Sequence, residues 1–324
     1  MQRQLVLFLS IIMLWVSATI LIFKDSDRIN RLADLGAKMT VSNQSNQPEK
    51  CTPPNYVFPK NVLISDEPLP EKVKDSFRNT ITITACFDLS NQKTFSSTEP
   101  MKFGGTASLF EPELFISARH TFLVPIIELN QKGYPFFIDK NGLPHSDYYD
   151  YTFYGTANIG GQAVTFPLQL IAMGDLYRPQ DLAVFMAINP PSQLIPLEFG
   201  EPAKLGDIVY SSGRVASFDP LDDHLNPLRK WGLSDFINFN FKGQVVGIIT
   251  DLPNNTYAGL RKIYSIRTAL EPGFSGGPVF DKNGKIIGLT VNISPGLNFS
   301  HAISAEDQES FIKKLRDKGI IPKK

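Results

Sequence analysis

The chain of 324 residues is long enough for one large domain or two smaller ones with a buried core. It carries 32 basic and 32 acidic side chains, so its net charge is zero and no basic field indicates nucleic acid as a partner. Apolar residues make up 42% of the chain and charged residues 20%, which excludes a disordered or fibrous protein. Two cysteines and the lack of an HExxH motif give no sign of a metal site, and we expect no cofactor.

The first predicted element is an apolar helix at the N-terminus. The run Leu5–Phe23 carries no charge, and as a helix at ~1.5 Å per residue it nearly spans the ~30 Å hydrocarbon core of a bilayer. Arg3 precedes it, which favours export of the remainder. We predict that residues 1–24 are an uncleaved signal-anchor, which makes this a single-pass protein of the cell membrane with its domain on the extracytoplasmic side. The alternative is a signal peptide cleaved near residues 16–18, which gives a secreted or periplasmic protein.

Residues 25–79 are predicted to form a polar stalk. The segment 41–48 is poor in apolar side chains and several prolines follow it, so this region cannot bury enough surface to fold alone. Cys51 lies in this stalk and Cys86 in the first predicted strand. In an oxidising compartment the two could form a disulfide that pins the stalk to the domain, and two unpaired thiols are the alternative.

From residue 80 onward the chain is dominated by short runs of β-branched and aromatic side chains with turns between them. Residues 281–284, Asp-Lys-Asn-Gly, contain the Asn-Gly pair typical of a hairpin turn. The lack of helical periods between the runs predicts an all-β protein, either a sandwich or a pair of barrels. The predicted strands are 81–87, 105–110, 114–118, 151–154, 164–173, 182–188, 208–212, 236–241, 245–250, 262–266, 278–280 and 286–293.

A single helix is predicted in this part of the chain, at 305–318, with Ser304 as its N-cap. Its apolar face is formed by Phe311, Ile312 and Leu315. Two longer segments, about 123–149 and 218–231, are predicted to be irregular insertions, which in a compact domain are usually functional or mobile.

The first candidate for chemistry is Ser275, which lies among glycines in the stretch 272–279, Pro-Gly-Phe-Ser-Gly-Gly-Pro-Val. Glycine permits positive φ and close approach of the backbone, so consecutive N–H groups can converge beside the hydroxyl, as an oxyanion hole requires. The alternative is an ordinary Gly-rich turn between two strands. A base and an acid elsewhere in the chain decide between the two interpretations.

Two further residues are candidates for those roles. His120 follows an apolar predicted strand, which is a rigid place for a general base, whereas His145 and His224 lie in polar insertions. Asp181 opens another apolar strand, where a buried carboxylate can hold a histidine in the correct tautomer. For each residue taken alone, a structural role is the alternative.

The order His120, Asp181, Ser275 along a β-rich chain resembles that of the chymotrypsin-like serine proteases, and more closely the trypsin-like protease domain of the HtrA (Deg) proteins. The likeness covers about residues 80–318. Only six residues follow the predicted helix, so we expect no PDZ-like module of the HtrA type, and the oligomeric state is left open. The segments that carry the likeness are Gly104–Ser108, Phe115–His120, Asp181–Val184, Leu205–Val209, Gly273–Val279, Asp281–Thr290 and Ser300–Ile303.

This resemblance implies two six-stranded antiparallel β-barrels with the triad in the cleft between them, and an endopeptidase that acts on proteins or peptides. Ser275 would attack the peptide carbonyl, His120 would take and return the proton, and Asp181 would orient the imidazole. The N–H groups of Gly273 and Ser275 would bind the oxyanion. The implied boundaries are about 80–190 for the N-terminal barrel, 200–303 for the C-terminal barrel and 305–318 for the closing helix, within a protease domain of 80–319.

The resemblance also bears on activation and specificity. Phe274 replaces the aspartate that pairs with a freshly cut N-terminus in digestive family members, so we expect no activation of that kind. Ala269 lies six residues before Ser275, at the base of the primary specificity pocket by resemblance. With Leu270 and Thr290 it offers no carboxylate to a lysine or arginine, so we expect cleavage after small or medium apolar residues.

Two other functions are compatible with the sequence. A protease fold without activity would serve as a binding or scaffolding module, and a chaperone-like holdase would bind client proteins with residual proteolysis. Because all three triad residue types are present in order, we expect the endopeptidase.

Overall fold

The computed structural model describes residues 63–65, 68–88, 101–174, 180–215, 237–250, 262–268, 273–294 and 299–323. Within these ranges the chain forms mostly antiparallel strands, together with the helices α1 (Glu71–Phe77), α2 (His120–Gln131) and α3 (Ala305–Asp317). The strands are β1 (Leu63–Ser65), β2 (Thr80–Asp88), β3 (Met101–Glu111), β4 (Leu114–Ser117), β5 (Phe137–Ile138), β6 (Pro144–His145), β7 (Asp150–Ile159), β8 (Gln162–Met173), β9 (Ala183–Ala187), β10 (Ile208–Val215), β11 (Ile237–Thr250), β12 (Lys262–Arg267), β13 (Pro278–Phe280), β14 (Ile286–Ser294) and β15 (Phe299–Ser304).

The first barrel is closed by strands in the order β2-β3-β4-β9-β8-β7. Alternate side chains of a strand point to opposite faces, and Ile81, Ile83 and Phe87 of β2 accordingly reach the core. Aromatic rings fill much of this core and meet edge to face, as Phe122 and Phe153 do with their centroids 5.5 Å apart. Because β2 and β3 also contact β10, the threonines on the other face of β2 are buried as well.

The second barrel has the order β11-β10-β13-β14-β15-β12 and closes where β12 pairs with β11, while β1 joins β11 as a parallel strand. The predicted all-β fold of two six-stranded antiparallel barrels is therefore confirmed. The predicted hairpin turn is also confirmed, because β13 pairs with β14 around Gly284, which has φ +76°. Tyr264 lies in the core of this barrel, where its hydroxyl accepts the N–H of Ala203 at 3.1 Å. Burial raises the pKa of Tyr264 to about 12.

The predicted C-terminal helix is present as α3 and packs against β14 and β15. Its predicted N-cap is confirmed, because the hydroxyl of Ser304 accepts the N–H of Asp307 at 3.2 Å. Near its end, the largely buried guanidinium of Arg316 forms an ion pair with Glu111 of β3. The helix therefore also connects the second barrel to the first.

The segment 123–149 differs from the sequence prediction. The sequence predicts an irregular insertion, whereas the segment contains most of α2 and the small hairpin of β5 and β6. The sequence pattern does not indicate α2 because buried side chains occur around most of its circumference and Pro125 lies inside it. A proline within a helix removes one hydrogen bond and usually ends the helix. The second predicted insertion, 218–231, lies outside the described residues.

The end of the predicted stalk also carries regular structure. β1 and α1 both lie within residues 25–79, and Val73 of α1 packs with Leu197 and Phe280 in a buried apolar cluster. This part of the stretch therefore belongs to the folded body.

Two predictions concern residues that the structure does not describe. The predicted membrane segment, 1–24, lies outside the described residues, as does Cys51. No helix in the ranges given above is long and apolar enough to cross a membrane. Cys86 is buried in β2 and is not a free thiol. Its bond to Cys51 stays a prediction.

Candidate active site

His120 stands at the junction of β4 and α2. The sequence predicts that it directly follows a strand, whereas β4 ends at Ser117 and His120 is the first residue of α2. The turn between them is held by Thr121, whose hydroxyl donates to the carbonyl of Ala118 at 2.7 Å. A strand and a helix thus fix the backbone of this histidine, and its side chain remains 31% exposed.

Asp181 lies two residues before β9 and contacts His120 with both carboxylate oxygens. One oxygen accepts the backbone N–H of His120 at 2.8 Å, and the other lies 2.5 Å from the imidazole Nδ1. Because a carboxylate can only accept, we assign the imidazole proton to Nδ1. The ring is therefore oriented with Nε2 as a free acceptor.

Arg119 fixes the strand ends that carry this acid and base. Its guanidinium donates to the carbonyl of Gly174 at 3.0 Å, and Gly174 in turn donates its N–H to the carbonyl of Leu182 at 2.8 Å. The sequence prediction did not single out Arg119, because nothing in its spacing distinguishes it from a surface arginine.

Ser275 completes the arrangement from the second barrel. Its Oγ lies 2.7 Å from Nε2 of His120, so the structure brings the three predicted residues together in the order Asp181, His120, Ser275. With the proton on Nδ1, Nε2 presents a lone pair to the serine hydroxyl and can accept its proton.

The loop that carries Ser275 requires glycine at two positions. Gly273 has φ +103° and Gly276 has φ +81°, both in the region that favours glycine. A Cβ on Gly276 would in addition lie 2.1 Å from Oγ of Ser117 and 2.2 Å from the carbonyl oxygen of Thr106. The backbone of the second barrel therefore approaches the first barrel so closely here that no side chain fits at position 276.

Thr106 of β3 holds this loop from the first barrel. Its N–H donates to the carbonyl of Ser275, and its hydroxyl donates to the carbonyl of Gly273, both at 2.8 Å. Thr106 lies in a segment that resembles the protease family, but its sequence gives no signal for this contact because 167 positions separate it from Gly273.

The N–H groups of Gly273 and Ser275, assigned to the oxyanion hole from the sequence, are available in the structure. Neither donates to any acceptor among the residues described here, and both residues are partly exposed. The next N–H group, that of Gly276, instead donates to the carbonyl of Thr290 at 2.8 Å. Unpaired N–H groups beside a nucleophile can stabilise the negative charge that develops on an attacked carbonyl oxygen.

Phe274 anchors the same loop in the second barrel. Its side chain is fully buried, and its ring centroid lies 5.7 Å from that of Phe241. A Cβ on Gly213 would lie 2.6 Å from this ring, so the ring packs directly on the backbone of β10. Apolar packing therefore holds the loop at the position where the resemblance places an aspartate in digestive proteases.

The residues predicted to line the specificity pocket are described only in part. Ala269 and Leu270 lie outside the described residues. Thr290 is buried in β14 and contacts the nucleophile loop through its backbone, because its N–H donates to the carbonyl of Gly277 at 2.8 Å. Its role in substrate selection stays a prediction.

Comparison with known proteins identifies a family and a similar relative. A family model for the "Trypsin-like peptidase domain" matches residues 105–289. A "Serine protease HtrA-like" of Staphylococcus aureus (strain MRSA252) is 33% identical over 149 residues, which cover 44% of this chain and 18% of that relative. The chain thus spans less than a fifth of the length of this relative.

Solved structures show similarity at lower identity. A serine-to-alanine mutant of Rv3671c from M. tuberculosis H37Rv, in an inactive form, has 17% identity and a TM-score of 0.48, over 79% of this chain and 98% of that one. The HtrA-type protease AlgW, solved with a tripeptide, has 14% identity and a TM-score of 0.49, over 76% of this chain and 63% of that one.

Proposed function

Because this chain belongs to the family of trypsin-like peptidase domains, we propose that it is a serine endopeptidase with His120, Asp181 and Ser275 as its catalytic triad. The observation that carries the proposal is the continuous contact from the carboxylate through the imidazole to the serine hydroxyl, at 2.5 and 2.7 Å. Such a contact activates a hydroxyl that is a weak nucleophile by itself.

In the acylation step, Oγ of Ser275 forms a bond to the carbonyl carbon of the substrate while Nε2 of His120 takes the hydroxyl proton. The negative charge on the carbonyl oxygen is stabilised by the N–H groups of Gly273 and Ser275, and loss of one such donor typically costs about 3 kcal/mol of barrier. The C–N bond then breaks, and His120 returns the proton to the departing amine.

In the deacylation step, a water molecule takes the place of the amine. His120 accepts a proton from this water as its oxygen attacks the acyl carbon, and the ester bond to Ser275 then breaks. The serine recovers its proton from the imidazolium, and the product leaves as a carboxylic acid. Throughout the cycle Asp181 holds the ring in one orientation and stabilises its positive charge.

The primary specificity pocket is proposed to accept small or medium apolar side chains. The support for this is Ala269 at the predicted base of the pocket, where no carboxylate is available to a lysine or arginine. Profiling with a peptide library should return cleavage after such apolar residues, and cleavage mainly after lysine or arginine would contradict it.

We also propose that the domain is exported and held at the cell membrane by the uncharged run Leu5–Phe23. In cells that express the full chain, we expect the protein in the membrane fraction, with its domain open to a protease added from the extracytoplasmic side. A soluble form whose N-terminus begins near residue 19 would indicate a cleaved signal peptide instead.

The test of the proposed activity is labelling of the purified protein with a fluorophosphonate, which reacts only with an activated serine. We expect one label on Ser275, none in Ser275→Ala, and strongly reduced labelling in His120→Ala. In parallel, an unfolded protein substrate should be cleaved by the wild type alone. A folded wild-type protein that takes up no label and cleaves nothing would indicate an idle fold, and protection of client proteins from aggregation that is equally strong in Ser275→Ala would indicate a holdase.

A further inference from the structure

The exposed side of α2 carries two apolar residues in line with the catalytic histidine. At ~100° per residue, positions 124, 127 and 131 lie within about 40° of position 120 around the helix axis. Val124 is 46% and Ile127 is 40% exposed, whereas the remaining apolar side chains of α2 are buried in the first barrel. We call these four positions, His120, Val124, Ile127 and Gln131, the exposed strip of α2.

Single exposed apolar residues are common on protein surfaces and need no explanation. Two features distinguish this pair. First, the other two exposed residues that follow His120 in α2, Asn130 and Gln131, are polar. Second, both apolar residues lie on one side of a helix whose first residue is the proposed catalytic base. The strip therefore begins at the reacting atoms and continues away from them as an apolar surface.

The proposed chemistry determines which part of a substrate meets this strip. His120 returns its proton to the departing amine, so that nitrogen must come within about 3 Å of Nε2. The residues on the C-terminal side of the scissile bond therefore leave the site past the element that carries His120, which is α2. The start of α2 is fixed against the first barrel beside the nucleophile loop, because a Cβ on Gly105 would lie 2.6 Å from Cγ2 of Thr121 and 3.1 Å from the carbonyl oxygen of Ser275.

We propose that Val124 and Ile127 form a subsite for apolar substrate residues located two to four positions after the scissile bond. Along the helix axis they lie about 6 Å and 10 Å from His120, and an extended peptide advances about 3.3 Å per residue, so these distances correspond to those substrate positions. The occupant is the substrate itself, as an extended apolar segment of the kind that unfolded proteins expose. This inference rests on the proposed endopeptidase activity.

The test compares three substrates that share the same acyl part. Two are quenched fluorescent peptides that carry either Leu-Val-Leu or Ser-Gln-Ser at positions two to four after the scissile bond, and the third is an anilide without any residues there. For the wild type we expect kcat/KM to be roughly tenfold higher for the apolar peptide than for the polar one. In the double variant Val124→Gln, Ile127→Gln this ratio should fall to about one, and the apolar peptide should lose its advantage relative to the anilide.

Two controls accompany this comparison. Ile195→Gln alters an apolar residue that is 65% exposed in the connection between the barrels, and it should keep the wild-type ratio. The double variant Val124→Leu, Ile127→Leu retains apolar side chains and should keep it as well. A wild-type ratio near one, a ratio preserved in the glutamine variant, or an equal loss for the anilide would each overturn the subsite.

The same peptides separate this inference from the proposed activity. In the Ser275→Ala background no turnover is needed, and fluorescence anisotropy should show roughly tenfold weaker binding of the apolar peptide when Val124 and Ile127 are replaced by glutamine. A wild-type protein that fluorophosphonate does not label would contradict the activity alone. Equal binding of the apolar peptide with and without the two glutamines would contradict the subsite alone.

Discussion

The two barrels contribute to the candidate site in different ways. The first barrel supplies the base and the acid from the ends of regular elements, with His120 opening α2 and Asp181 just before β9. The second barrel supplies the nucleophile from a loop that departs from regular structure, with positive φ at Gly273 and Gly276. The acid and the base are therefore positioned by the strands and the helix of their own barrel, whereas no strand or helix positions the nucleophile.

The nucleophile loop takes its shape from contacts on both sides. Phe274 anchors it inside the second barrel, and Thr106 of the first barrel donates two hydrogen bonds to the carbonyl groups that flank Phe274. These bonds orient the peptide units on either side of the Phe274–Ser275 peptide, and the carbonyl of Phe274, which shares a plane with the N–H of Ser275, accepts the N–H of Gly277 at 2.7 Å. The loop that carries Ser275 is therefore held across the interface between the barrels, whereas the pair of His120 and Asp181 belongs to one barrel.

The largest effect should come from the contact within the first barrel. In Asp181→Asn, the amide oxygen can still accept the backbone N–H of His120, which turns the amide NH₂ toward Nδ1. The imidazole must then carry its proton on Nε2 and cannot accept one from Ser275, so we expect kcat to fall by about 10⁴-fold. Peptide hydrolysis measures this, with the melting temperature as the control for folding. A variant with more than a tenth of the wild-type kcat would show that Asp181 does not set the tautomer.

The second prediction concerns the close approach between the barrels. In Gly276→Ala the added Cβ would overlap Oγ of Ser117 and the carbonyl of Thr106, so the loop must shift, and a shift of about 1 Å can cost about 10²-fold in rate. Gly206→Ala is the matched control, because Gly206 also has a positive φ, +91°, but has nothing within 4 Å of the added carbon. It should lose about 1 kcal/mol of stability and keep full activity. Equal kcat values for the two variants would show that the loop does not depend on the first barrel.

The third prediction tests the hydroxyl of Thr106. Thr106→Val keeps the shape of the side chain and the backbone hydrogen bond to Ser275 but leaves the carbonyl of Gly273 unpaired, so we expect kcat to fall about tenfold. Thr106→Ser should restore most of the rate. Thr82 pairs directly with Thr106 in the barrel and has a buried hydroxyl without a partner in the described residues. Thr82→Val should therefore be neutral or stabilising, and an equal loss of activity in both valine variants would contradict the role of Thr106.

The sequence predicts the candidate reacting residues of both barrels better than the residues that hold them in place. His120, Asp181 and Ser275 are found from their residue types and their order, because each adjoins a recognisable apolar strand or glycine run. Thr106 and Arg119 are not found, because each acts on residues that are distant in the chain and only the fold brings them close. Hydrogen bonds between residues that are distant in the chain leave no periodic pattern in the sequence.

The elements around the site show the same limit. Most of the strands and α3 follow from alternation, turn residues and the cap at Ser304, but the predicted strands 236–241 and 245–250 are one strand, β11, and β15 is not predicted. α2 does not follow, because its apolar side chains pack on the first barrel around most of the helix and Pro125 gives the opposite signal. Tertiary packing therefore decides the element that carries the proposed catalytic base.

The smallest predicted effect separates the stability of the second barrel from the activity of the site. His301 lies half-buried on β15, with Nδ1 3.3 Å from the hydroxyl of Ser265, and burial lowers the pKa of its imidazole below the ordinary value of about 6.5. At a pH between the pKa of His301 in the folded chain and that in the unfolded chain, the imidazole is protonated only in the unfolded chain. The contribution of neutral His301 to stability is therefore fully present above about pH 6.5 and is lost as the pH decreases through that value. The melting temperature of His301→Gln should therefore decrease less between pH 7.5 and pH 5.5 than that of the wild type, and a comparison at pH 8 gives the cost of the substitution without ionisation.

The pH profile of fluorophosphonate labelling should stay as in the wild type, since that profile depends on the first barrel. A shifted profile in His301→Gln would show that the two barrels are coupled through β15.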